Sequence, residues 1–204
     1  MYVTGHHQLT DERLIERLWQ LYDLSYGEVE ASSPSHEMLF RDEFDTAVRD
    51  ATNRLWVLWD DSAPVAMLLI ATDIGSTRYL SRAYFEQRYA EHMRRGAVHY
   101  IMWLVVHPSA MAKGAIVRLG REVAQREAAD GALVVFDAPE LHQPGVSGGF
   151  AEMMSRLAKA FVGPSPVVHL GTQHYFAVDF APAASEPADA DETRPLQRPL
   201  AQQL

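Results

Sequence analysis

No cysteine occurs in the 204 residues of the chain. Disulfides, thiolate metal sites and a cysteine nucleophile are therefore excluded, and any covalent chemistry must use another group. Long apolar runs are also missing, since none approaches the roughly 20 residues needed to cross a bilayer. The N-terminal Met1-Tyr2-Val3-Thr4-Gly5-His6-His7 lacks the charged and apolar blocks of a signal peptide. The expectation is a cytoplasmic protein without a membrane partner. Positive charge is scarce, with 18 Lys and Arg against 27 Asp and Glu and a formal net charge of -9. Nucleic-acid binding rests on neutralising phosphates with Lys and Arg, so this balance argues against it.

What is present fits one folded domain. Hydrophobic residues make up 48% of the chain, enough for a sizeable core. From Ala181 the sequence turns to Pro182, Ala183, Ala184, Ser185, Glu186, Pro187, Ala188, Asp189 and onward through Pro195 and Pro199. Such a composition does not offset the entropy of ordering it. The expectation is a domain over residues 1–180 and a disordered Pro, Ala and acidic tail over 181–204, with no internal repeat.

Thr10-Asp11-Glu12 reads as a helix start, followed by Leu14, Leu18 and Leu21 on one face to about Tyr26. Ser32-Ser33-Pro34-Ser35 breaks the chain, and His36 to Ala51 resumes helical spacing with Phe40, Phe44, Ala47 and Val48 on one side. Leu55 to Trp59 and Val65 to Thr72 read as a hairpin. Arg78 to Arg95 reads as a helical insert. The most informative stretch follows: strand Val98 to Val106, turn His107 to Gly114, helix Ala115 to Ala129, and strand Ala132 to Phe136. A helix over Phe150 to Phe161 and a last strand over Gln173 to Phe180 complete the order α-α-β-β-α-β-α-β-α-β. His6-His7 reads as a mobile terminus.

A helix start rich in small residues after a buried strand suits a phosphate-bearing ligand, because its outward backbone N–H groups favour an anion. Ala110, Ala112, Gly114 and Ala115 keep room for one, and Lys113 adds positive charge. On Val105-Val106-His107-Pro108 followed by Met111-Ala112-Lys113-Gly114-Ala115-Ile116, and on the element order from Thr10 to Phe180, the chain resembles the GNAT acyltransferase superfamily. In that family the loop usually reads Arg or Gln, two residues, Gly, one residue, then Gly or Ala. Here Gly114 matches, while Met111 and Ile116 depart from the pattern.

The resemblance implies an α/β fold with a GNAT-like mixed central sheet flanked by helices. It also implies acetyl-CoA or another acyl-CoA as co-substrate, held between the fourth and fifth core strands. The pyrophosphate would lie over Met111, Ala112, Lys113, Gly114, Ala115 and Ile116, and the pantetheine arm along the backbone of Leu104, Val105 and Val106. The implied activity is N-acyl transfer to a small-molecule amine by direct transfer, which requires a base and an acid for the leaving thiolate. Where many relatives carry a glutamate, this chain has Met102 or Trp103, leaving His99 as the nearest titratable candidate. The late-helix tyrosine of the family is replaced within Leu157 to Phe161, and Tyr175 is the substitute. Trp19, Trp56, Trp59 and Trp103 read as core residues, although Trp103, three residues after Tyr100 in the fourth strand, is placed to line an acceptor pocket.

His107, His142 and Asp137 flank the expected cleft, but without tight ligand spacing they are not assigned a metal. Arg41-Asp42-Glu43-Phe44-Asp45, the hairpin and the insert from Asp73 to Gly96 give a weaker resemblance to acyl-homoserine-lactone synthases. That resemblance implies an acyl carrier protein as donor, although Met67-Leu68-Leu69 stands where those enzymes usually carry an arginine. A third reading is a GNAT-like scaffold without acetyltransferase activity, since a fold does not fix function. A homodimer and an acyl carrier protein both stand open as partners.

Overall fold

The computed structural model describes residues 1–30, 38–111, 113–139, 142, 143, 145 and 148–177. The expected tail over 181–204, Ala112 and the far end of the expected last strand lie outside them. Residues Met1–Gly171 form one compact unit, and Thr172 begins a second.

Thirteen residues after β1 (Tyr2–His6), the chain is already deep in α1 (Glu12–Glu30), whose start is fixed by the Asp11 carboxylate accepting the N–H groups of Arg13 and Leu14. Ile15, Leu18 and Tyr22 recur at helical spacing and are fully buried, so this face drives α1 onto the sheet. Helix α2 (Arg41–Arg49) buries Phe44, Ala47 and Val48 beside it, and the Glu43 carboxylate accepts the Phe40 N–H at 3.0 Å. Strands β2 (Asn53–Asp60) and β3 (Ala63–Ala71) form the expected hairpin, in which Asp61 takes φ 52, a left-handed turn position that Asp tolerates.

After a short 3-10 turn at Ile74–Ser76 come α3 (Arg82–Arg88) and α4 (Ala90–Arg94), then β4 (Val98–Val106) and α5 (Pro108–Met111). Helix α6 (Ala115–Ala129), β5 (Leu133–Val135) and α7 (Gly149–Phe161) follow. The sheet order is β1-β2-β3-β4-β5, antiparallel except for the parallel β4–β5 pair. The sheet is thus mixed and covered on both faces. Residues Leu55, Val57, Met67, Leu69, Trp103 and Val105 face α1 and α2, whereas Ala66, Leu68, Ile70 and Ile101 face Ala115, Leu119 and Val123 of α6. Each fully buried Leu or Ile contributes about 1.5–3 kcal/mol relative to exposure.

Three expectations are corrected. Residues Tyr2 to His6 form an edge strand in register from Tyr2↔Trp59 to His6↔Leu55 instead of a mobile terminus, and Trp59 Nε1 donates to Thr4 Oγ1 at 2.7 Å. The insert over Arg78 to Arg95 is two short helices broken at Tyr89, whose φ of -132 and ψ of 42 are not helical. Gln173 to Ala177, the described part of the expected last strand, holds no strand, because β propensity without a hydrogen-bonded neighbour does not make a ladder.

One ionic network crosses the α6 face of the sheet. Arg54 of β2 and His99 of β4 each pair with one oxygen of Glu127, and Arg54 also donates to Asp130 at 2.9 Å. Arg54, His99 and Glu127 are buried. Removing one partner of a buried pair leaves an uncompensated charge, at a cost of about 3–5 kcal/mol. Glu127→Ala is expected to lower the unfolding free energy by that amount, about 3–5 kcal/mol in urea denaturation. The double variant Arg54→Met/Glu127→Leu is expected to recover most of the loss, since neither charge is then stranded.

Candidate functional site

The site is built on the place where β4 and β5 part. Their parallel pairing runs through Val98↔Leu133, His99↔Val134 and Tyr100↔Val135 and ends there. β4 continues from Ile101 to Val106, about 20 Å of strand at the usual rise per residue. Among the described residues no strand pairs with its β5-facing edge along that stretch. The β3–β4 register shifts between Leu69↔Trp103 and Ile70↔Ile101, so Met102 is a bulge residue. Bulges bend the strand and increase its local twist.

Past Val106 the chain enters the phosphate-loop candidate. His107 N–H donates to Val65 O at 2.8 Å, and its Nδ1 lies 2.8 Å from Ser109 Oγ. Gly114 takes φ 73 and sits at the N-cap of α6, where it brings no side chain to cap the helix. An α-helix leaves its first N–H groups without intrahelical acceptors, and they carry the positive end of the macrodipole. A Cβ on Gly114 would meet nothing within 4 Å, so the space over this helix start is open. Ala115 is buried beneath it, Ile116 is half-buried, and Met111 and Lys113 are exposed. Lys113 Nζ lies 3.4 Å from Asp60 Oδ2.

Two clefts flank α6. One of about 360 Å³ lies between α6 and α7 and includes Val117, Gly149, Met153, Arg156 and Phe161. The other, of about 520 Å³, lies on the β1 side and includes Tyr2, Leu58, Lys113, Arg118 and Arg121. Arg121 also sits 4.9 Å over the Phe161 ring, tying the two helices together.

The two residues expected to move protons lie in different units. His99 lies beside the paired end of β4–β5, 4% exposed, with Nδ1 held by Glu127. Tyr175 lies in the second unit, 53% exposed. Leu104, Val105 and Val106 all fall on the open stretch of β4, next to the helix start carrying Gly114, Ala115 and Ile116. Trp103 is 3% exposed and packs against Tyr22 and Phe44 at ring distances of 5.4 and 5.5 Å, so it belongs to the core.

Tyr100 borders the opening. Its hydroxyl donates to Asp137 Oδ1 at 2.8 Å, and Tyr79 stands 6.1 Å away. Glu127 and Arg54 escaped the sequence reading, although a signal existed: Ala115, Leu119, Val123 and Glu127 follow one helical stripe. A carboxylate on an apolar stripe demands a buried partner. Asp137 was placed beside the cleft by the sequence, but its bond from the Tyr100 hydroxyl was not foreseen.

No protein-family model and no curated protein matches the chain. The five-stranded mixed sheet flanked by helices is a GNAT fold. An aminoglycoside acetyltransferase from an uncultured soil metagenomic sample, solved with trehalose, matches with a TM-score of 0.50 at 15% identity over 87% of this chain and 96% of that one. A transcriptional regulator from Bacillus halodurans C-125 matches with a TM-score of 0.51 at 15% identity, over 86% of this chain and 100% of that one. At these identities the likeness is one of fold.

Burial, the Asp137 charge and the hydrogen bond to it together hold the Tyr100 phenol well above its usual value of 10.0. The native state therefore keeps this proton where the unfolded chain loses it. The resulting stability is complete below about pH 10 and declines as the pH rises beyond it. Urea unfolding followed from about pH 9 to 11 is expected to show Tyr100→Phe losing less stability per pH unit than the wild-type chain. The difference is bounded by about 1.4 kcal/mol per unit.

Proposed function

We propose that the chain is an acyl-CoA-dependent N-acyltransferase acting on a small-molecule amine by direct transfer. The observation that carries this reading is the open edge of β4 from Ile101 to Val106, leading to the uncapped start of α6 at Gly114. An extended arm bearing amides finds backbone donors and acceptors along such an edge. A pyrophosphate finds N–H groups and room at its end.

In this reading the backbone of Leu104, Val105 and Val106 holds the pantetheine amides. The N–H groups around Gly114, Ala115 and Ile116 take the pyrophosphate, and Lys113 adds charge. Met111 and Ala112 complete the loop. The acceptor enters from the side of Tyr100, Tyr79 and Asp137, where the carboxylate favours a cationic amine. The amine nitrogen, deprotonated through water, attacks the thioester carbonyl carbon. The C–N bond forms, the C–S bond breaks, and the thiolate takes a proton. We assign that proton to Tyr175 and revise His99 to a positioning residue, because its ring is buried against Glu127.

Calorimetric titration with acetyl-CoA, a longer acyl-CoA and free CoA tests the donor site. Micromolar binding is expected for the wild type, with at least a tenfold loss in Gly114→Glu, whose carboxylate fills the anion site. Gly114→Asn, which tolerates the left-handed φ, is expected to stay within about threefold. No binding to any of the three ligands overturns the reading and leaves the carrier-protein donor or the non-transferase scaffold.

The acid is tested separately. Tyr175→Phe is expected to lower kcat about 100-fold with KM for the acyl-CoA unchanged, in the range for loss of one general acid. An unchanged kcat removes Tyr175 from the mechanism.

A further inference from the structure

The larger of the two clefts beside α6, about 520 Å³, lies on the β1 side of the sheet, at the opposite edge from the parting of β4 and β5. Its volume falls within the roughly 300–1,000 Å³ of small-molecule sites. The α6 wall of this cleft is one helical stripe, since Gly114, Val117, Arg118, Arg121 and Glu122 recur at intervals of three and four residues. The other side is mostly apolar. Leu58 is fully buried there, Met1 and Val3 are half-buried, and Val117 faces them 48% exposed.

Three cations, Lys113, Arg118 and Arg121, meet one carboxylate, Glu122, in this lining, although the chain carries a formal net charge of -9. Lys113 reaches Asp60 at 3.4 Å, whereas among the described residues neither Arg118 nor Arg121 has a carboxylate partner. Elsewhere Arg41, Arg49, Arg54, Arg82 and Arg156 each hold one. Glu122 stands four residues after Arg118, the spacing of a helical ion pair, and still makes none. Two like charges on adjacent turns of one helix face repel each other, and an anion between them removes that cost.

We propose that this cleft binds an organic phosphate monoester, with its phosphate on the Arg118 and Arg121 guanidinium groups and its apolar body against Val3, Leu58 and Val117. A guanidinium presents paired N–H donors that match the spacing of phosphate oxygens. Three positive groups less one negative leave the lining at +2, which suits a phosphate dianion better than a monocarboxylate. The apolar side chains favour an ester over inorganic phosphate. Arg118 and Arg121 stand about 6 and 10 Å along α6 from Gly114 at the helical rise per residue, so the phosphate sits apart from the helix start assigned to acyl-CoA. The proposal does not depend on the acyltransferase reading.

Calorimetric titration of the full chain at low salt with AMP, phenyl phosphate, adenosine and inorganic phosphate tests it. Both esters are expected to bind with submillimolar Kd, inorganic phosphate at least tenfold more weakly, and adenosine not at all. Added salt should weaken the esters, because the cations are exposed. Arg118→Gln is expected to cost AMP about tenfold in affinity, the scale of one lost hydrogen bond to a charged group, and Arg118→Glu more. Arg118 is exposed, so both variants should keep the wild-type urea midpoint. Saturating acetyl-CoA should change the AMP affinity by less than threefold. Binding of neither ester overturns the proposal, as does ester binding that Arg118→Glu leaves unchanged. Inorganic phosphate binding as tightly as the esters overturns it too, since the cleft then takes an adventitious anion only. Displacement of AMP by acetyl-CoA assigns the cleft to the acyl donor and overturns a separate site.

Discussion

The end of the β4–β5 pairing at Tyr100↔Val135 is the constraint on which the rest of the site depends. Two side chains leaving β5 hold the chain away on opposite faces of the sheet. Phe136 turns to the α6 side and packs edge-on against Phe150 at the start of α7, with ring centroids 5.3 Å apart. Asp137 turns to the other side and accepts the Tyr100 hydroxyl. Pro139, without an N–H, then ends any prospect of laddering. On the facing strand the Met102 bulge bends the chain and increases its local twist. Strand separation is normally costly because it leaves backbone groups unpaired. Here it is over-determined by contacts that lie outside the ladder itself.

The two ends of α6 are treated differently, and this fits the helix macrodipole. Its start at Gly114 has no side-chain cap and faces open space, with Lys113, Arg118 and Arg121 nearby in an otherwise acidic chain. Its last turn is surrounded by Arg54 and Arg126, both paired with Asp130, so cations sit where the helix end carries partial negative charge. The buried Glu127 is held between Arg54 and His99, which ties β2, β4 and α6 together at the closed end of the strand pair. Stability is thus concentrated where the strands meet. The open end has no side chain capping its first N–H groups among the described residues.

Much of this was readable from the sequence, and the failures have physical causes. The run Val98 to Val106 and the amphipathic stretch Ala115 to Ala129 were read with the bounds found, because a long apolar strand and a helix closed by Gly114 and Gly131 announce themselves locally. The edge strand Tyr2–His6 was missed because its partners on β2, from Trp59 to Leu55, are distant in sequence and its alternation is interrupted by Gly5. The opposite error at Gln173 to Ala177 has the same root: composition reports strand preference, while a ladder also needs a neighbour. Gly114 was legible as the start of α6, because a left-handed N-cap selects glycine. The burial of His99 was not, since it depends on Glu127, a partner 28 residues later on another element.

The short β5 has consequences in both directions. A longer β5 paired along the whole of β4 would satisfy the backbone of Leu104 to Val106 and leave no groove for a ligand arm, so the opening requires that β5 stop after three residues. A strand of three residues, however, is itself a weak sheet edge, with Leu133 and Val134 only half-covered. Covering its outer side would add ladder hydrogen bonds and apolar burial without closing the inner side that faces β4.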